Sequence, residues 1–216
     1  EHELLALALA RGRGLDFDLA DLRRSLAARD YLRDGDSGPL TSRDALRCEL
    51  ELVLAARDGR ATHRPLAPDF RPSPRLSAEQ ERAVRQILGS RDFITLFRGG
   101  AGTGKSFALQ EVHRGLVAAE RPVVVVAPQR QQALDLQKEG LPADTLAHLL
   151  TKRELARDAV VLLDEAGQVG GRQLHDLVKL ARANDARLIL SGDTRQHGAV
   201  AASDALCAIE AYGQLT

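Results

Sequence analysis

After Gly99 and four intervening residues stand Gly104, Lys105 and Ser106, the spacing G-x-x-x-x-G-K-[ST] of a phosphate-binding loop. The spacing has a physical reason. Glycines at 99, 100, 102 and 104 let successive backbone N–H groups turn inward around an anion. A helix opening at Lys105 adds its positive dipole end. In this reading Gly99, Gly100, Ala101, Gly102, Thr103, Gly104, Lys105, Ser106 and Phe107 form the cradle of a nucleotide. Lys105 reaches the β- and γ-phosphates, and the Ser106 hydroxyl ligates Mg2+. The plain alternative is a glycine-rich turn without a ligand. "DFITLF" (92–97) before it and "SFALQEVHRGLV" (106–117) after it supply the strand and the helix that the motif requires.

A second cluster has the same logic. Val160-Val161-Leu162-Leu163 is an apolar run that ends in Asp164-Glu165. Acids at the end of a buried strand lie at the carboxyl edge of the sheet, where the phosphate loop also lies. Asp164 would hold Mg2+, usually through water, and Glu165 would orient and deprotonate an attacking water. The competing reading is an acidic helix N-terminus, where carboxylates are favoured in any case. "LSGDTRQHGAV" (190–200) also follows an apolar strand, which would bring Asp193 and Gln196 near the γ-phosphate. Gln196 has a donor and an acceptor end, so it can sense phosphate and report to a neighbour. Without further context it is a polar turn. Ser77-x-x-Gln80 is a capping box, with the glutamine satisfying the backbone N–H of the cap.

These side chains need a scaffold, and residues from Leu76 onward alternate helix and strand. The periodicity predicts helix 77–88, strand 93–98, helix 105–118, strand 122–128, helices through "RQQALDLQKEG" and "TLAHLLTKREL", strand 158–167, helix "GRQLHDLVKLARAND" and strand 186–193. Apolar runs without alternation mean strands covered on both faces, hence an α/β fold with a mostly parallel, doubly wound sheet. Residues 1–60 read as a small region of short helices. Its last helix, "TSRDALRCELELVLAARDG", is expected to group Leu46, Leu50, Val53 and Leu54 on one face. Residues 61–75, with four prolines, read as an extended linker, and 76–216 as the nucleotide-binding lobe.

Composition narrows the classes further. The 216 residues are 44% hydrophobic but only 3% aromatic, so Leu, Ala and Val must fill the core. Lys+Arg 30 against Asp+Glu 30 excludes a uniformly basic surface, and any nucleic-acid contact must use a local groove. No run has the apolar length of a membrane span, and no signal peptide opens the chain. Cys48 and Cys207 have no metal or redox spacing and read as plain thiols in a reducing cytoplasm. The chain has no methionine and begins at Glu1, so it is expected to be a piece of a longer protein.

The order "LSAEQERAV", "GGAGTGKS", "VVVVAPQRQQA", "ADTLAHLL", "VVLLDEAGQV" and "LSGDTRQH" resembles motifs Q, I, Ia, Ib, II and III of a superfamily 1B, RecD-like DNA helicase. "APQRQQA", "DEAGQ" and "GDTRQHGAV" are similar to the helicase region of TraI/TrwC-type (MobF) conjugative relaxases. The resemblance covers 76–216 and implies a RecA-like lobe that uses ATP and Mg2+ to move along single-stranded DNA, 5′ to 3′. It implies that Gln80 contacts adenine and that Gln196 couples the γ-phosphate to the DNA groove. Pro128, Gln129, Arg130, Thr145 and His148 would line the strand path. Gln129 stands where many such helicases have threonine. The resemblance further implies partners in the full-length chain: a second RecA-like lobe with motifs IV to VI and an arginine finger, and a relaxase domain. Residues 1–216 alone are then expected to bind ATP and hydrolyse it very slowly. Two other readings remain, another P-loop ATPase or kinase, and a non-catalytic nucleotide-binding docking module.

Overall fold

The computed structural model describes residues 31–33, 40–98 and 104–192, together with Leu206 and Ile209. The chain divides into two units, Glu1–Arg47 and Cys48–Thr216. In the first, β1 (Tyr31–Arg33) and β2 (Leu40–Ser42) pair antiparallel with Leu32 opposite Thr41. The sequence reading foresees only helices here. The turn formers of "DGDSGP" (34–39) are the hairpin signal that it passes over. Helix α1 (Arg43–Asp58) forms as expected, but on a different face. Leu52, Ala55 and Ala56 are its buried residues, whereas Leu46 and Leu50 are exposed. Small alanines let the helix lie close to its neighbours, so bulk does not decide which face turns inward.

The second unit is built on five parallel strands in the order β3-β7-β6-β4-β5. Its elements follow the chain as α2 (Ala78–Gly89), β3 (Ile94–Arg98), α3 (Lys105–Ala118), β4 (Val123–Ala127), α4 (Arg130–Lys138), β5 (Ala143–Thr145), α5 (Leu146–Lys152), β6 (Val160–Leu163), α6 (Gly171–Ala183) and β7 (Arg187–Gly192). A short 3-10 turn, Ala166–Gln168, follows β6. The predicted elements are present within a few residues of their expected bounds. The addition is β5, where the sequence reading places only the start of a helix. Three residues are too few to show periodicity, and β5 exists by pairing with β4, Ala127 opposite Thr145.

Successive residues of each strand feed opposite cores, as the pleat requires. Val161, Leu163, Leu188 and Leu190 pack with α1, α5 and α6, together with Leu206 and Ile209. Val160, Leu162 and Ile189 pack with α2, α3 and α4. The sheet is therefore doubly wound, with helices on both faces.

Residues 61–75 contain no helix or strand, yet they are tied to the lobe. The Ala67 N–H donates to the Leu88 carbonyl at 2.8 Å, and the Ser73 N–H to the buried Glu111 carboxylate at 2.8 Å. Arg187 closes this end of the sheet. It is 3% exposed, and its Nε, Nη1 and Nη2 each donate at 2.8 Å, to the carbonyls of Asp92, Arg64 and Ser90. Burial, and then the charge of Arg121, pull its pKa down to about 10, which leaves it protonated at neutral pH. Replacing Arg187 with Leu strands three inward-facing carbonyls. We expect a loss of about 3 kcal/mol in urea unfolding, since each such group costs roughly 1–3 kcal/mol when unpaired. A loss below about 1 kcal/mol would mean that Arg187 does not clamp the segment.

Candidate functional site

Strand β7 runs between β3 and β6, and the register Arg98–Gly192 and Leu163–Leu190 brings the carboxyl ends of the three level. Lys105 opens α3, the helix after β3, while Asp164 and Glu165 follow β6 directly. The lysine Nζ donates to Glu165 Oε1 and lies 3.3 Å from Asp164 Oδ1. Asp164 Oδ1 also accepts from the hydroxyl of Ser191, at 3.0 Å, from the intervening strand. Ser191 is fully buried and follows the apolar Leu188-Ile189-Leu190 of β7. Lys105 and the two acids that follow β6 therefore lie together at the carboxyl edge of the sheet.

The turn after β6 is shaped for this. Glu165 has φ 52° and ψ 41°, the left-handed region that costs a β-carbon-bearing residue about 1–2 kcal/mol. The turn is held against β7 at Gly192, where an added Cβ would come within 3.2 Å of the N atoms of Ala166 and Gly167. This turn sets the Glu165 carboxylate against the Lys105 ammonium.

Burial alone would lower the pKa of Lys105, but the Glu165 hydrogen bond and the charges of Asp164 and Glu165 outweigh it and raise the value. The lysine is thus held charged and ready for an anion.

On the other side of α3, Gly104 has φ 71° and begins the helix without a side-chain cap. A Cβ here would sit 2.3 Å from Gln80 Nε2, the movable end of a side chain, so it is the left-handed conformation that calls for glycine. Gln80 makes the expected capping box. Its Oε1 accepts from Ser77 N at 2.9 Å, and its N–H donates to Ser77 Oγ at 3.2 Å. Its Nε2 also donates to the Gly104 carbonyl at 3.3 Å, which joins α2 to the end of the phosphate loop. Ser106 is half-buried in the first turn of α3, and Phe107 packs against the adjoining core. Gly99, Gly100, Ala101, Gly102, Thr103, Asp193 and Gln196 lie outside the described residues.

The two segments expected to line a strand path emerge side by side. Pro128, Gln129 and Arg130 follow β4; Thr145 ends β5 and caps α5, its hydroxyl accepting from His148 N at 3.2 Å. His148 also meets Asp144, 2.8 Å away. Gln129 and Arg130 are exposed, whereas Thr145 is half-buried. Sequence reasoning gave no role to Ser191 or Gln168, and placed Gln132 only within the stretch 128–132 along the strand path. Gln168 Oε1 accepts from Gln132 Nε2 at 2.9 Å and Gln129 Nε2 at 3.2 Å, and its Nε2 donates to Glu165 Oε2 at 3.4 Å. The available signal was a serine in an apolar strand and three glutamines flanking acid and proline turns.

Comparison with known proteins places this geometry in a family. A profile described as an AAA domain matches residues 75–215. The chain belongs to that AAA-domain family. Among its relatives is the multifunctional conjugation protein TraI of Escherichia coli K12, 28% identical over 187 residues, 80% of this chain and 11% of that protein. Another is the conjugal transfer protein TraA of Rhizobium radiobacter, 32% identical over 164 residues, 72% of this chain and 15% of that protein. The chain thus spans a small part of the length of these relatives. The resemblance to TraI-type conjugation proteins, and the α/β RecA-like class, are borne out. No helix among the described residues is long and apolar enough to cross a membrane.

The raised pKa of Lys105 has a consequence for stability. Its pairing stabilises the fold fully below the ordinary lysine value of 10.5 and is lost as pH rises through the higher folded value. As pH is raised above 10.5, urea midpoints should fall more steeply for the wild type than for Lys105→Met. Parallel curves would show that the ion pair contributes nothing to the fold.

Proposed function

We propose that this chain is the ATP-binding lobe of a DNA motor within a conjugation protein. The observation that carries the reading is the contact of Lys105 with both Asp164 and Glu165 at the carboxyl edge of the sheet. This donor set fits a nucleoside triphosphate with Mg2+. Lys105 would hold the β- and γ-phosphates, Ser106 and Asp164 the metal, and Gly104 the close approach of the backbone. When bound, Mg2+ supplies Lewis-acid polarisation of the phosphoryl oxygens. Lys105 then leaves Glu165 for the phosphates, which frees that carboxylate to orient a water and take its proton. Ser191 keeps Asp164 in place through its hydroxyl. In this reading Gln80 trades its contact with Gly104 for the adenine edge, and Gln196 senses the γ-phosphate.

Single-stranded DNA is the proposed track. Pairing of β4 with β5 supports it, since it sets Pro128, Gln129 and Arg130 beside Thr145 and His148 on the edge that carries the nucleotide site. Travel 5′ to 3′, a second RecA-like lobe with the arginine finger, a relaxase domain in the same full-length chain and a cytoplasmic setting belong to the same proposal.

The reading is tested by titrating the chain with a fluorescent ATP analogue in Mg2+. Lys105→Ala should weaken binding by at least about tenfold, the worth of hydrogen bonds to a charged group. Equal affinities would remove the nucleotide assignment. In the full-length protein, Glu165→Gln should abolish DNA-stimulated hydrolysis while ATP still binds. Undiminished turnover there would place the base elsewhere.

A further inference from the structure

The described residues contain a chain of side-chain amides that runs from the candidate catalytic carboxylate to the candidate strand path. It begins at Glu165, whose Oε1 faces Lys105 and whose Oε2 faces Gln168 Nε2, 3.4 Å away. Gln168 Oε1 faces the Nε2 atoms of Gln132, at 2.9 Å, and Gln129, at 3.2 Å. Gln132 Oε1 accepts in turn from the backbone N–H of Gln129, at 3.1 Å, on the first residue before α4. The orientation of every amide is determined by chemistry. A carboxylate only accepts, so Gln168 must turn its NH2 to Glu165 and its carbonyl to the other two glutamines. A backbone N–H only donates, so Gln132 must turn its carbonyl to Gln129 and its NH2 to Gln168. The chain is satisfied in one sense alone.

We infer that Gln168 is a positioning residue that couples the nucleotide site to the strand site through the Glu165–Gln168–Gln129/Gln132 amide chain. The inference rests on the strand path proposed above. The turn that carries Gln168 is pressed against Gly192, so a change at Glu165 passes through side chains rather than through backbone movement. When Lys105 turns to phosphate, Glu165 loses its cation and draws more strongly on the Gln168 NH2. An amide that donates more strongly also accepts more strongly, which tightens Gln168 Oε1 on Gln129 and Gln132. Gln129 is exposed and would offer the same NH2 to a strand phosphate. The nucleotide therefore weakens the grip on the strand, and by linkage the strand weakens the grip on nucleotide.

The test measures binding rather than turnover. The affinity of a fluorescein-labelled oligothymidylate is determined by anisotropy with and without a saturating, non-hydrolysable ATP analogue and Mg2+. In the wild type the analogue should weaken strand binding by about fivefold or more, within the usual range of coupling between sites. In Gln168→Ala the two affinities should agree within about twofold, with each ligand still bound. Gln168→Glu keeps an acceptor for Gln129 and Gln132 but sets a like charge against Glu165, so it too should lose coupling. A residue that merely supported the start of α4 would leave coupling intact in that variant. Coupling retained in Gln168→Ala or Gln168→Glu, or of the opposite sign in the wild type, overturns the relay while the strand path stands. Absence of strand binding by the wild type overturns the path, and the relay with it.

Discussion

One lysine shared by two carboxylates is the interaction on which the site depends. Lys105 and Asp164 keep only 14% and 11% of their side chains exposed, so neither charge is well solvated and each needs the other. They meet because β3 and β6 flank the same strand in register, Asp164 follows β6 directly, and Lys105 opens the helix that comes after β3. Ser191, on the strand between, completes Asp164 without adding charge. A slip of one residue in either pairing would move these ends apart and turn the apolar residues of that strand to the wrong core.

The two ends of the sheet answer to different demands. At the amino end, Arg187 spends its donors on three carbonyls and binds the proline-rich segment and the α2–β3 connection to the sheet. Every partner there is a neutral, fixed oxygen, so the charge is held and does nothing else. At the carboxyl end, the partners of Lys105 are carboxylates, which an incoming anion can replace. The same type of group, a long side chain carrying a positive charge, is thus structural at one end and, in the proposed reading, exchangeable at the other. What differs is whether its acceptors have charge and room to move.

Sequence and structure agree where the physics is local. The apolar strands, the glycine before Lys105, the Ser77–Gln80 box and the acids after Val160–Leu163 are legible because each depends on a few consecutive residues. The face of α1 was not, since Ala55 and Ala56 bury through their smallness and hydrophobicity alone points to Leu46 and Leu50. β5 was missed because three residues acquire strand form only from the neighbour that pairs with them. The same holds for the candidate site. Lys105 and Asp164 could be named from spacing, whereas Ser191 and Gln168 act across 27 and 36 or more residues of sequence, on partners that no spacing rule connects.

The resting contacts also limit what a ligand must supply. An anion that takes Lys105 leaves Asp164 and Glu165 as two negative charges on consecutive residues, with the neutral donors Ser191 and Gln168 beside them among the described residues. Such a pair is costly in a poorly solvated pocket. In the proposed reading a divalent cation arriving with the anion would remove the cost at Asp164, so these acids would suit a metal-bound triphosphate better than a free phosphate. Among the described residues Glu165 then keeps Gln168 as its side-chain partner, on a backbone already held in the left-handed region. Of the two carboxylates it is therefore the one whose charge is least compensated once Lys105 turns away. In the proposed reading that leaves Glu165 as the carboxylate free to orient a water.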